Sequence, residues 1–259
     1  MKDDPQLHAN SIIASRESGL DADSSLFSVA PGANHHEKIV SEMAIASLSK
    51  DRSALHDFAH DALDGGMPPE SLIDKVIPDV ARLLGEHWVA DSLSFAEVTI
   101  GSARLQALLR ELVRLIPSDP IGNFDAPSVL MVIPPNCFHT LGAMIAISRF
   151  RRCGATVRLL ITQDQNDLTF QLQKGHYDMV AISASGCESL ETLRSLVTKV
   201  KMAGTSTPPV VIGGRIVEFE PNTKILVGAD YTTQDPHEAL ELCGLTTLTP
   251  SAQYSAEEA

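Results

Sequence analysis

No run of apolar residues in this chain approaches the roughly 20 needed to cross a bilayer, so the sequence predicts no membrane span. The first residues, MKDDPQLHAN, are polar and acidic and lack the apolar segment of a secretory signal. Positive charge is scarce: 20 Lys and Arg stand against 33 Asp and Glu, a net charge of −13. Such a chain is poorly suited to neutralising phosphates, which argues against nonspecific nucleic-acid binding as its main activity. The four cysteines, Cys137, Cys153, Cys187 and Cys243, are far apart and contain no Cys-x-x-Cys pair. That pattern points to reduced thiols in the cytoplasm, not to a zinc site or a disulfide framework. Phosphate-binding signatures are missing too, with no Gly-x-Gly-x-x-Gly after the first strand and no Walker-type loop.

What is present divides the chain in two. Residues 1–34 are rich in Ser, Asp, Ala and Asn without sustained periodicity and are predicted to be a disordered tail. From 36 to 116 the apolar residues follow helical spacing, predicting a bundle of four helices joined by short links. Asp64-Gly65-Gly66 ends the second, Pro68-Pro69 opens the third, and Ser94 caps the fourth. Residues 117–127, with Pro117, Pro120 and Pro127, form a linker. From 128 to 246 short apolar strands alternate with helices: Val129–Ile133, Thr156–Ile161, Met179–Ser183, Pro209–Ile212 and Asp230–Thr232 are the strands. Strands this apolar suit a parallel sheet covered on both faces. The predicted fold class is therefore α/β: an N-terminal helical bundle followed by a flavodoxin/Rossmann-like doubly wound parallel five-stranded sheet. Residues 247–259 read as a second tail.

Ligands of open α/β sheets bind beyond the carboxyl ends of the strands. After strand one stands Pro134-Pro135-Asn136-Cys137-Phe138-His139-Thr140-Leu141-Gly142, with His139 between loop and helix and Gly142 one turn further on. After strand three stand Ser183, Ala184 and Ser185. After strand four, Gly213-Gly214 offers bare backbone. Elsewhere, His56 and His60 share a helix face but have no third ligand and are read as solvated. Arg149, Arg151 and Arg152 are read as charge complementing a helix C-terminus, with an acidic partner as the alternative.

The set His139-x-x-Gly142, Ser183 and Gly213-Gly214 resembles the cobalamin-binding signature Asp-x-His-x-x-Gly, Ser-x-Leu, Gly-Gly. The separations of 41 residues from Gly142 to Ser183 and 30 to Gly213 match it. The resemblance implies His139 as the lower axial ligand to cobalt, a nucleotide-tail channel lined by the serine and glycines, and a helical cap over the corrin. Cofactor contacts are thereby implied for Cys137, Phe138, Thr140, Ser185 and Trp88 as well.

Cys137 replaces the motif's aspartate and Ser185 its leucine. A carboxylate on the second nitrogen of a metal-bound histidine raises its basicity, so Cys137 predicts looser ligation. Photosensing cobalamin regulators have a Trp followed about ten residues later by Glu-His; here Trp88 is followed by Ala96-Glu97-Val98-Thr99, without the histidine.

No substrate domain fits in the remaining length, so no enzymatic activity is expected. The whole is similar to the AerR/PpaA family of photosynthesis-gene regulators in purple bacteria. That resemblance implies an antirepressor which binds a redox-responsive DNA-binding repressor of the CrtJ/PpsR type under light or cobalamin control. The expected moving element is the cap, hinged at 117–127. A corrinoid carrier of a methyltransferase system, and a haem sensor of the same fold, are the alternatives.

Overall fold

Two capping boxes mark where the first and last long helices of the amino-terminal half begin. In this computed structural model, which describes residues 24–29, 32–116, 126–137, 140–162, 165–204 and 207–245, helix α1 spans His35–Leu48. Asn34 Oδ1 accepts from the Glu37 N–H at 2.9 Å, and Glu37 Oε2 from the Asn34 N–H at 3.0 Å. Helix α2 spans Ala54–Asp64, α3 Ile77–Val89 and α4 Phe95–Leu115. At the start of α4, Glu97 Oε2 accepts from the Ser94 N–H at 2.8 Å while Ser94 Oγ accepts from the Glu97 N–H at 3.3 Å. Such boxes satisfy N–H groups that have no partner inside the helix. At the other end of α1, the Arg104 guanidinium donates to the Ser47 and Ser49 carbonyls at 2.9 and 2.6 Å.

The predicted third helix is not continuous. A short turn at Pro69–Ser71 leads into a π-helical turn, Leu72–Val76, before α3. The Ile77 N–H donates to the Leu72 carbonyl, and Pro78, which has no N–H and whose ring crowds the carbonyl four residues back, follows at once. The widened turn accommodates that proline. The apolar stripe survives it, since Leu72, Ile73, Ile77, Val80 and Leu84 are all fully buried.

Part of the stretch expected to be a tail also joins this bundle. Ser24–Phe27 forms a 3-10 turn, Phe27 is buried, its ring meets His87 edge-on at 4.7 Å, and its carbonyl accepts from the Ser41 hydroxyl.

The chain divides into two units, Met1–Pro117 and Ser118–Ala259. The second is built on β1 (Ser128–Ile133), β2 (Thr156–Ile161), β3 (Met179–Ser183), β4 (Val210–Gly213) and β5 (Tyr231–Thr232). All pairings are parallel, in the order β2-β1-β3-β4-β5, and the N-terminal bundle followed by this sheet is the architecture expected.

The helices are α5 (Leu141–Arg152), α6 (Gln165–Lys174), α7 (Leu190–Met202), α8 (Ile216–Phe219), α9 (Thr223–Val227) and α10 (Pro236–Leu242). The two short helices α8 and α9 fill a stretch with no predicted element.

Alternate strand residues separate the core into two layers, as a pleated strand requires. Leu130, Val132, Val180 and Ile182 pack with Leu193 and Leu196 of α7. Val129, Met131 and Met179 pack with Ala143, Ile147 and Phe150 of α5. No helix of the described residues is long and apolar enough to cross a membrane.

No disulfide joins Cys137, Cys153, Cys187 or Cys243. Burial, and then the nearby Asp230 charge, push the Cys243 thiol up to about 11, whereas Cys187 is exposed. At pH 8.5 the Cys243 thiol is therefore below about 1% ionised. Because the thiolate is the nucleophile and Cys187 is exposed, iodoacetamide at pH 8.5 is expected to label Cys187 faster than Cys243. Peptide mapping by mass spectrometry reads the ratio, and comparable rates would refute the expectation.

Candidate functional site

The strand order creates a switch point. From β1 the chain crosses to β2 on one side and returns to place β3 on the other, so the loops leaving β1 and β3 diverge above adjacent strands. Crevices of this kind are where doubly wound sheets bind ligands.

The β1 loop enters through Pro134 and Pro135. Asn136 adopts a left-handed conformation, φ 61°, a geometry asparagine tolerates better than most residues. The Cys137 N–H then folds back to the Pro134 carbonyl at 3.3 Å, and the Cys137 side chain is buried. Phe138 and His139 lie outside the described residues. Thr140 is the N-cap of α5, without a side-chain capping bond. Gly142 is exposed, and a Cβ built there meets nothing within 4 Å, so the first turn of α5 presents bare backbone to open space.

The β3 loop faces it. Ser183 ends the strand and pairs with Gly213 of β4. Ser185 and Gly186 wrap around the carboxylate of Glu188. Oε2 accepts from the Ser185 and Gly186 N–H groups at 2.9 and 3.0 Å, and Oε1 from the Ser185 hydroxyl at 3.0 Å. Burial pulls the Glu188 carboxyl upward, but the hydrogen bonds it accepts outweigh it and hold the group below its ordinary value.

Glu188 was not among the residues read from the sequence. Its signal was an acidic side chain in Ser185-Gly186-Cys187-Glu188, just beyond a strand's carboxyl end.

Gly213 and Gly214 have reasons of their own to be glycine. A Cβ on Gly213 would lie 2.8 Å from the Thr233 carbonyl oxygen, and one on Gly214, at φ +97°, 2.3 Å from that of Ala184. Both clashes are with backbone of the same sheet end.

In the bundle, Trp88 is 47% exposed at the end of α3, its ring 6.4 Å from that of Phe95. The carboxylate of Glu97 is held by the helix cap, and Ser94's side chain and backbone bonds lower its pKa. His56 pairs with Glu111 at 3.0 Å, and no cluster of His, Cys, Asp or Glu able to hold a metal occurs among the described residues. Arg149 pairs with Asp235 at 3.1 Å.

Gly142's open backbone, the small Ser183–Ser185 segment and the buried Cys137 turn suit a flat or extended ligand seated above β1 and β3. A helical bundle followed by this parallel sheet is an architecture shared with a solved structure. The monomethylamine corrinoid protein of Methanosarcina barkeri superposes with a TM-score of 0.63 at 16% identity, over 80% of this chain and 97% of that one.

More specifically, the chain is 33% identical over 169 residues, 65% of its length, to a 20.5 kDa protein from the bchF-crtJ intergenic region of Rhodobacter capsulatus. It covers 88% of that protein and belongs to the same family. It is also 26% identical over 181 residues, 70% of its length, to the HTH-type transcriptional repressor CarH of Myxococcus xanthus, spanning 58% of that repressor. No protein-family model matches the chain.

Proposed function

We propose that this chain is a cobalamin-binding regulator, without catalytic activity of its own, that acts by binding a DNA-binding repressor. The observation that carries the reading is the placement of two segments at one switch point: the β1 loop, leading to the His139-x-x-Gly142 spacing, and Ser183–Ser185 beyond β3. His139 is assigned as the residue that would ligate cobalt, Gly142 would admit the ring's close approach, and Ser183 and Ser185 would border the nucleotide tail. Cobalamin, when bound, would supply a light- or redox-responsive cobalt centre, and the protein's part would be to hold it and pass the change on.

A regulatory role is favoured by sequence kinship with a transcriptional repressor and by a family member encoded beside crtJ. The net charge of −13 favours a protein partner over DNA itself. The antirepressor role, a repressor of the CrtJ/PpsR type and control of photosynthesis genes complete the proposal. The corrinoid-carrier reading rests on the shared fold and predicts a methyltransferase partner instead.

The test is titration with hydroxocobalamin in the dark and after illumination, followed by visible absorption and gel filtration. Wild type is expected to retain cobalamin with shifted bands, and His139→Ala to bind at least about 10-fold more weakly with altered bands. Equal retention and identical spectra in the two proteins would overturn the assignment of His139, and no retention by wild type would overturn cobalamin binding.

A further inference from the structure

We infer that Glu188 is a positioning residue of the ligand crevice: it closes the β3 loop into a turn that spends the Ser185 hydroxyl within the loop and leaves the Ser183 hydroxyl for the ligand. The inference rests on the proposed cobalamin site and concerns how one wall of that site is held. The loop is anchored at both ends. Before it, the Ala184 N–H donates to the Gly213 carbonyl at 2.9 Å. After it, Ser189 caps α7, its hydroxyl oxygen accepting from the Thr192 N–H at 3.1 Å. Between these points the Glu188 carboxylate gathers three donors, the Ser185 and Gly186 N–H groups at 2.9 and 3.0 Å and the Ser185 hydroxyl at 3.0 Å. Gly186 turns the chain back toward that carboxylate at φ +96°, a conformation glycine adopts without steric cost.

The two serines are left in different states. A serine hydroxyl has one hydrogen to give. That of Ser185 goes to Glu188, and its oxygen also accepts from the Cys187 N–H at 3.4 Å. The Ser183 hydroxyl meets no hydrogen-bond partner among the described residues. Ala181 packs in the layer that contains α5, and Ser183, two residues further along the strand, faces the same side. That is the side of α5, whose first turn carries Gly142. A charged acceptor with several donors is among the stronger hydrogen-bonding arrangements, so its removal frees the turn while Ala184 and Ser189 stay held.

The experiment compares Glu188→Ala, Glu188→Gln and Ser183→Ala with wild type in the full chain. Two corrinoids serve as probes: hydroxocobalamin, and diaquocobinamide, which keeps corrin and cobalt but lacks the nucleotide tail. Amide hydrogen exchange at Ser185 and Gly186 without any corrinoid reports on the turn itself. Glu188→Ala is expected to speed exchange at both amides and to weaken hydroxocobalamin binding by about 10-fold, the scale of one lost hydrogen bond, with diaquocobinamide affinity within about twofold of wild type. Ser183→Ala should show the same split between the two corrinoids without faster exchange. Glu188→Gln, whose amide oxygen still accepts from the two N–H groups, should lie between wild type and Glu188→Ala in both readouts.

Selective loss of the tailed corrinoid is what positioning requires. An equal loss of both corrinoids in Glu188→Ala would mark a merely structural contact and overturn the inference. So would unchanged exchange, hydroxocobalamin binding as tight as wild type or tighter, or a Ser183→Ala protein that binds both corrinoids like wild type. Each of these leaves the proposed function standing. Retention of neither corrinoid by wild type would overturn the proposed function and this assignment together.

Discussion

Gly214→Ala is expected to destabilise the α/β unit by roughly 3–5 kcal/mol, at the upper end of what single substitutions do. Two separate effects act there. Gly214 has φ +97°, outside the regions open to residues with a side chain, and strain of this kind costs about 1–3 kcal/mol. In addition, the new methyl would lie 2.3 Å from the Ala184 oxygen, 3.1 Å from its carbonyl carbon and 3.2 Å from its nitrogen. All three are backbone atoms, so no side chain can swing aside.

Ala184 cannot retreat easily either. Its N–H donates to the Gly213 carbonyl at 2.9 Å and its carbonyl accepts from the Ile216 N–H at 3.3 Å. Relief therefore requires the ends of β3 and β4 to separate. A melt followed by circular dichroism should show the midpoint lower by about 10–20 °C.

Gly142→Ala makes the opposite case. Its added methyl meets nothing within 4 Å in the first turn of α5, where alanine favours the helix by up to about 1 kcal/mol. Stability should hold or rise, while cobalamin affinity falls by about 10-fold because the methyl occupies space assigned to the corrin. A Gly214→Ala protein that melts like wild type would refute the backbone-clash account, and a Gly142→Ala protein that binds like wild type would remove Gly142 from the site.

These two glycines show where sequence reasoning succeeds and where it stops. Apolar runs such as Val129–Ile133 and Met179–Ser183 were legible as strands because buried parallel strands need apolar side chains on both faces. Ser94 was legible as a cap because the following helix needed one. The π turn at Leu72–Val76 was not, because the apolar stripe continues through it and the cause is a single interior proline, Pro78. Phe27 was lost in a polar stretch whose composition outweighed one aromatic. The loops beyond β1 and β3 could be found from strand ends alone, but not what holds the second. Glu188 accepts from Ser185 and Gly186 within its own loop, a turn too short to leave a periodic signal. The glycine pair was legible as bare backbone, yet the backbone it admits closest belongs to Ala184 and Thr233.

The largest functional effect is expected in the coupling between cobalamin and the proposed repressor partner. The proposed antirepressor passes its signal through the repressor it binds, and cobalamin can bias that contact only through different affinities for two states of the protein. Thermodynamic linkage then makes the effect reciprocal. If loading with cobalamin changes repressor affinity by about 10-fold, equivalent to about 1.4 kcal/mol, the repressor must change cobalamin affinity by the same factor.

Allosteric couplings commonly span about 5–150-fold, so a factor of 10 or more is the expected result for a working switch. The measurement titrates a CrtJ/PpsR-type repressor against the apo protein and the cobalamin-loaded protein, in the dark and after illumination. The converse titration adds cobalamin with and without repressor, and operator binding by the repressor is followed in parallel. Equal repressor affinity in every state, with operator binding undisturbed, would remove the switch and favour the carrier reading, in which a methyltransferase replaces the repressor as partner.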